Sequence, residues 1–170
     1  MDASFDEYWM AQAIREAEKA DEAGEVPTGC VIVETPEDPS APPASARLLA
    51  RAHNQAETLT DATAHAEMLA LSAAFAARGN WRLTGARLYV TKEPCPMCAG
   101  AIALARVDAV VWGVSDPKRG GETVFGIFGH KGMNHHPAVE GGVMADRCRG
   151  VLVDFFRRRR AERQAQGDMV

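Results

Sequence analysis

A chain of 170 residues, 46% hydrophobic and 25% charged, is long enough to bury one core without staples and too short for two full-sized domains. That composition excludes disordered, collagen-like and coiled-coil classes, and no apolar run approaches the roughly 18 residues of a spanning helix. The net charge of −4 does not advertise polyanion binding, yet the charge is uneven: residues 1–25 are acidic, whereas residues 142–170 carry seven Arg.

The N-terminus, MDASFDEYWM, holds acids where a signal or transit peptide needs Arg and Lys, which predicts a cytoplasmic protein. Ser4 and Glu7 form an S-x-x-E capping box ahead of an amphipathic helix through Trp9, Ala13, Ile14, Ala17 and Ala20, stopped at Gly24. Cys30–Val33 reads as a buried strand. Residues 35–46 hold prolines 36, 39, 42 and 43, which a central strand excludes; lying between apolar runs 30–33 and 47–50, they predict an elongated hairpin connection rather than a domain linker. Asp61 or Thr63 is expected to cap a helix over about 65–78. Arg87–Thr91 is a strand by propensity, Pro94 and Pro96 open a helix over about 96–106, and Ala109–Val114 is another strand. Residues 115–142 are glycine-rich and irregular. A last helix, about 145–166 within a basic segment 145–170, places Cys148, Leu152, Phe155 and Phe156 on or beside one stripe. The alternation predicts one α/β domain over 1–170, with helices on both faces of a sheet.

Two segments carry chemistry: Thr63-Ala-His65-Ala-Glu67 and Glu93-Pro94-Cys95-Pro96-Met97-Cys98. A C-x-x-C pair alone is ambiguous between a redox site, a structural zinc knuckle and chance. A structural zinc site needs four protein ligands, and neither a second C-x-x-C nor an H-x3-H is present. His65, Cys95 and Cys98 make three, and three leave the open position that marks a catalytic zinc. Two thiolates and a neutral imidazole also make the site formally neutral, and a helix N-terminus favours the thiolate forms. Glu67 is placed to move a proton between water and a leaving amine. The arrangement matches the known H-x-E…P-C-x-x-C signature of zinc deaminases. A redox pair, or a structural site with an unseen fourth ligand, is the alternative reading. Cys30 and Cys148 read as small hydrophobes.

Around these motifs the chain resembles the bacterial tRNA-specific adenosine deaminases of the cytidine deaminase-like superfamily. The resemblance is carried by Glu7–Met10, Gly24–Pro27, Thr63–Glu67, Gly79–Leu83, Leu88–Thr91, Glu93–Ile102, Asp116 with Lys118, Gly132–His135 and Asp154–Arg157, in the family's order. It implies a three-layer α/β/α domain on a central mixed sheet, a homodimer, one Zn2+ per subunit, and conversion of adenosine to inosine at the wobble position of a tRNA anticodon stem-loop. It implies His65, Cys95 and Cys98 as ligands and Glu67 as the proton shuttle. Asn54, Ala66 and Thr28 would line the base pocket, with Asp116, Lys118, Asn134 and Phe156 at flanking nucleotides. The chain departs from the pattern at Ala62, Thr28, the 35–46 insertion and Gly121–Phe128. Deamination of a free nucleobase or nucleoside (guanine, cytosine or a modified purine) is the alternative activity; a catalytically silent RNA-binding subunit is disfavoured by Glu67. The run Arg157–Arg160 reads either as a solvated helix end or as a contact for RNA phosphates.

Overall fold

Alternation along the central strands decides which helices lie on which face. The computed structural model describes residues 3–167. Its elements are α1 (Ala3–Glu22), β1 (Gly29–Glu34), β2 (Leu48–His53), α2 (Ala66–Arg78), β3 (Ala86–Lys92), α3 (Pro96–Leu104), β4 (Ala109–Val114), β5 (Ala138–Gly141) and α4 (Ala145–Gly167). The sheet order is β2-β1-β3-β4-β5; β1 is antiparallel to β2 and β3, and β3, β4 and β5 run parallel.

Val31, Val33, Tyr89 and Val111 project to one face and bury Phe5, Trp9, Met10, Ala13 and Ile14 of α1 with Cys148 of α4. Cys30, Ile32, Leu88, Val90, Val110 and Trp112 project to the other, against Ala70, Leu71 and Ala74 of α2 and Ile102 and Ala103 of α3. The result is the expected three-layer α/β/α sandwich. Each large apolar side chain so buried contributes about 1.5–3 kcal/mol. The buried Tyr89 hydroxyl donates to Asp6 Oδ1 (2.6 Å), which also accepts from Arg87 Nη2 (3.0 Å) and ties α1 to β3.

Several local expectations are corrected. α1 is already helical at Ala3, so Ser4 lies inside the first turn rather than in front of it. Neither Asp61 nor Thr63 caps α2; Asp61 Oδ1 instead accepts from the backbone N–H and hydroxyl of Thr63, closing a turn, and His65 stands at the N-cap with extended backbone. α3 ends at Leu104, short of 106, where Arg106 adopts a left-handed φ of 58°. Within the segment read as irregular, residues 138–141 form β5, an exposed edge strand beside β4. The proline-rich stretch does connect an antiparallel hairpin, β1 to β2, through a single 3-10 turn at Pro43–Ser45. Among the described residues, no helix is long and apolar enough to cross a membrane.

Candidate active site

The topology gathers the motif residues at one end of the sheet. β3 and β4 are parallel, and β3 leads directly into Glu93 and the N-terminus of α3. Gly29 at the start of β1 pairs with His53 at the end of β2, which brings Thr28 and Asn54 to the same end. This is the crevice beyond the carboxyl ends of parallel strands where α/β proteins place their ligands. His65 is the N-cap of α2, Cys95 the N-cap of α3, and Cys98 lies in its first turn.

His65 Nδ1 lies 3.6 Å from Cys95 Sγ and 3.5 Å from Cys98 Sγ, and ligand atoms of the three residues all fall within 4.8 Å of one another. A tetrahedral ion with Zn–S of about 2.3 Å and Zn–N of about 2.0–2.1 Å requires N···S edges of roughly 3.5 Å, so the donor set fits zinc in both chemistry and spacing. The cluster is electrostatically poised as well. The Cys95 thiol is held well below its ordinary value, first by a hydrogen bond from Cys98 and then, against burial, by His65. Cys98 is pushed up by its bond to Cys95 and by burial. The His65 imidazole is raised chiefly by Cys95, and burial raises the Glu67 carboxyl.

Glu67, in the first turn of α2 and only 3% exposed, faces a cavity of about 230 Å³ that His65, Cys95, Asn54, Ala66 and Thr28 also line. That volume lies below the roughly 300–1,000 Å³ of sites for drug-sized ligands, so it holds a heterocycle rather than a larger molecule. Asn54 donates through Nδ2 to Glu25 Oε2 (3.3 Å) and to the Val26 carbonyl (3.3 Å). Both partners accept only, which orients the amide and leaves Oδ1 as the acceptor available to a ligand.

The remaining sequence candidates lie outside the cavity lining. Asp116 pairs with Lys92 at its mouth (2.6 Å), Lys118 and Asn134 are exposed, and Phe156 is exposed while Phe155 is buried beneath it. His135 and His136 serve the fold: Nε2 of the first donates to the Val107 carbonyl (2.7 Å) and Nδ1 of the second to that of Phe128 (2.8 Å).

Two buried carboxylates that matter here lie within the quoted motifs but carry no role in the sequence reading. Glu25, 1% exposed, also accepts from the amides of Glu57 (3.2 Å) and Thr58 (2.6 Å); these bonds outweigh burial and lower its pKa. Glu93, 3% exposed, accepts from the amides of Asp116, Glu122 and Thr123 and from the Thr123 hydroxyl. It therefore holds the 116–123 loop onto the end of β3, beside the cavity that Glu93 itself lines. A Cβ on Gly120 would lie 2.4 Å from the Glu93 carboxylate and one on Gly121 2.6 Å from Ala99, so the loop passes there only as Gly-Gly. The available signal was an acid at the end of an apolar strand, since a buried Glu must be paired.

Residues 3–114 match the model of the cytidine and deoxycytidylate deaminase zinc-binding region. The chain belongs to this zinc-binding deaminase family. Within the family it is 47% identical to the tRNA-specific adenosine deaminase of Bacillus subtilis (strain 168), over 94% of either chain. A solved structure from studies of A-to-I editing by tRNA:A34 deaminases superposes with a TM-score of 0.76 at 38% identity, over 85% of this chain and 99% of that one. A guanine deaminase from Nitrosomonas europaea has a TM-score of 0.72 at 21% identity, over 88% of this chain and 83% of that one, and shares the fold. The first two similarities extend past Val114 into the segment that carries Asp116.

Proposed function

We propose that the protein is a zinc-dependent hydrolase that converts adenosine to inosine at the wobble position of a tRNA anticodon, acting in the cytoplasm as a homodimer with one zinc per subunit. The observation that carries this reading is the tetrahedral spacing of His65, Cys95 and Cys98 beside Glu67 in one cavity, within a chain so similar to a tRNA-specific adenosine deaminase.

His65, Cys95 and Cys98 would hold the ion beside the cavity. Zinc there lowers the pKa of water, making a nucleophile available at neutral pH. Glu67 takes one proton from the attacking water and gives it to the purine ring nitrogen beside the reacting carbon, then carries the proton of the added hydroxyl to the departing amine, so that adenosine and water give inosine and ammonia. Its buried setting suits a carboxyl that must both take and give a proton. Asn54, fixed by Glu25, presents Oδ1 to a donor on the nucleoside, while Thr28 and the Ala66 backbone bracket the base. Reaching the residues of so small a cavity requires a polynucleotide to extrude its target base and lay its flanking nucleotides outside. Asp116, Lys118, Asn134 and Phe156 are the side chains for that outer surface, with exposed Phe156 suited to stacking. Exposed Trp81 and Leu104, flanking an apolar groove between α2 and α3 with Leu71 and Phe75, support a dimer contact on the face next to the ligand-bearing helix.

The test is mass-spectrometric detection of inosine after incubating zinc-loaded protein with an anticodon stem-loop bearing adenosine at position 34, with free adenine, adenosine, guanine and cytosine in parallel. Inosine at that one position is expected. No change in the RNA with turnover of a free base would replace the tRNA reading with nucleobase metabolism.

A further inference from the structure

Among the described residues lining the cavity, Lys92 brings an ammonium. Lys92 is the last residue of β3, paired in register with Val114, and its side chain lies among the cavity-lining residues with 37% of its surface open to solvent. Its Nζ sits 2.6 Å from Asp116 Oδ2. The other oxygen of Asp116 accepts the amides of Lys118 (2.9 Å) and Arg119 (3.0 Å), so the carboxylate is fixed from two sides and fixes Lys92 in turn. The other acid at this edge, Glu93, is fully engaged by the loop amides and the Thr123 hydroxyl, which leaves it no role as a partner for the lysine.

An ammonium has three donors, and Asp116 takes one. A free base or nucleoside filling the cavity brings no anion to meet the others. A nucleotide within a strand brings a phosphate on each side of the sugar, and those phosphates must cross the cavity mouth where Lys92 stands. We propose that Lys92, held in place by Asp116, binds a backbone phosphate flanking the extruded adenosine and thereby makes the site selective for a nucleotide in a chain over a free nucleoside. This rests on the RNA reading above. The role of Asp116 is positioning: it costs part of the lysine's charge but removes the conformational freedom that a four-carbon stem would lose on binding.

The experiment is steady-state inosine formation on the position-34 stem-loop across a salt series, with wild type, Lys92→Met, Lys92→Arg and Asp116→Asn. Zinc content and thermal midpoint are measured for each. Wild-type kcat/KM falls with salt. Lys92→Met is expected to raise KM about tenfold at low salt with kcat within about twofold, and to flatten the log–log salt slope by about 0.7–0.9, the loss of one phosphate contact. Lys92→Arg restores the slope, and Asp116→Asn raises KM less while keeping it. A Lys92→Met enzyme with wild-type KM and slope would overturn the proposal while leaving the editing reading intact. Equal loss of thermal stability in Lys92→Met and Asp116→Asn with an unchanged slope would do the same, reducing the pair to a structural one. Absence of inosine with wild type would remove the editing reading, and this inference with it.

Discussion

One side of the cavity is built from the N-termini of α2 and α3, seated on the sheet through Ala70, Leu71, Ala74, Ile102 and Ala103. It carries His65, Glu67, Cys95 and Cys98. The neighbouring segment, within 115–142, supplies none of the lining; it has little regular structure and, apart from Phe128, Ile127 and Met133 packed on the core, is held by polar bonds. Glu93 gathers the 116–123 loop, Glu122 accepts the Phe128 amide (2.8 Å), and His135 and His136 tie the following residues to Val107 and Phe128. Apolar packing is insensitive to pH and salt and fixes positions closely, as metal donors need. Bonds to a few carboxylates can be altered one at a time while the donors stay put. The contrast separates fixed chemistry from adjustable recognition.

The largest expected effect lies on the apolar side. Glu67→Gln should retain zinc and lose about 10²–10⁴-fold in turnover, the usual worth of a positioned proton carrier, whereas His65→Ala should lose zinc and turnover together. Inosine yield and metal content measured on the same samples separate the two, and a Glu67→Gln enzyme with wild-type turnover would break the assignment. Next come two substitutions that oppose the sides. Ile102→Ala should cost about 2–5 kcal/mol of stability yet leave the KM of folded, zinc-loaded enzyme unchanged. Glu93→Gln should cost less, about 1–3 kcal/mol, because a carboxylate accepting several N–H and O–H bonds is replaced by a group that turns one donor toward them; it should raise KM for RNA at constant zinc. If the KM effects were reversed, the division between the two sides would fail.

The smallest effect is electrostatic. Burial alone would raise the Asp116 carboxyl, but Lys92 and the Lys118 and Arg119 amides bring it down to about 2. A folded-state pKa below the unfolded one stabilises the fold above the ordinary carboxylate value and loses that contribution as pH falls toward about 2. Asp116→Asn should therefore be less stable than wild type by about 1–2 kcal/mol at neutral pH, the lower figure reflecting solvent screening at Lys92. The difference should shrink between about pH 4 and pH 2 in paired denaturant titrations.

The two sides also differ in how far the amino-acid sequence discloses them. Segments 30–33 and 109–114 are apolar runs, 87–91 is a strand by β-propensity, and the helices between them follow local periodicity and proline placement, so the sandwich and the His65, Cys95 and Cys98 positions follow from short-range pattern. β5 carries no such signal: Ala138–Gly141 is exposed throughout and becomes a strand only because β4 offers it an edge. Glu93 and Glu25 stand inside quoted motifs yet receive no role from the sequence, for a related reason. Their partners lie 23–30 and 29–33 residues away, and nothing in local sequence says which amides a buried carboxylate will meet. The capping of α2 misled in the opposite sense, since Asp61 and Thr63 satisfy one another and leave His65 at the helix start with its ring free for the two cysteines.

The proposed centre is an open three-donor zinc site facing a proton-carrying carboxylate. X-ray absorption at the zinc edge of the zinc-loaded protein tests its first half most directly, with the Glu67→Gln enzyme as companion. Two sulfur neighbours at about 2.3 Å and two nitrogen or oxygen neighbours at about 2.0 Å are expected in both proteins, one of the light atoms being exchangeable solvent. A shell of four protein ligands, or one lacking sulfur, would contradict it.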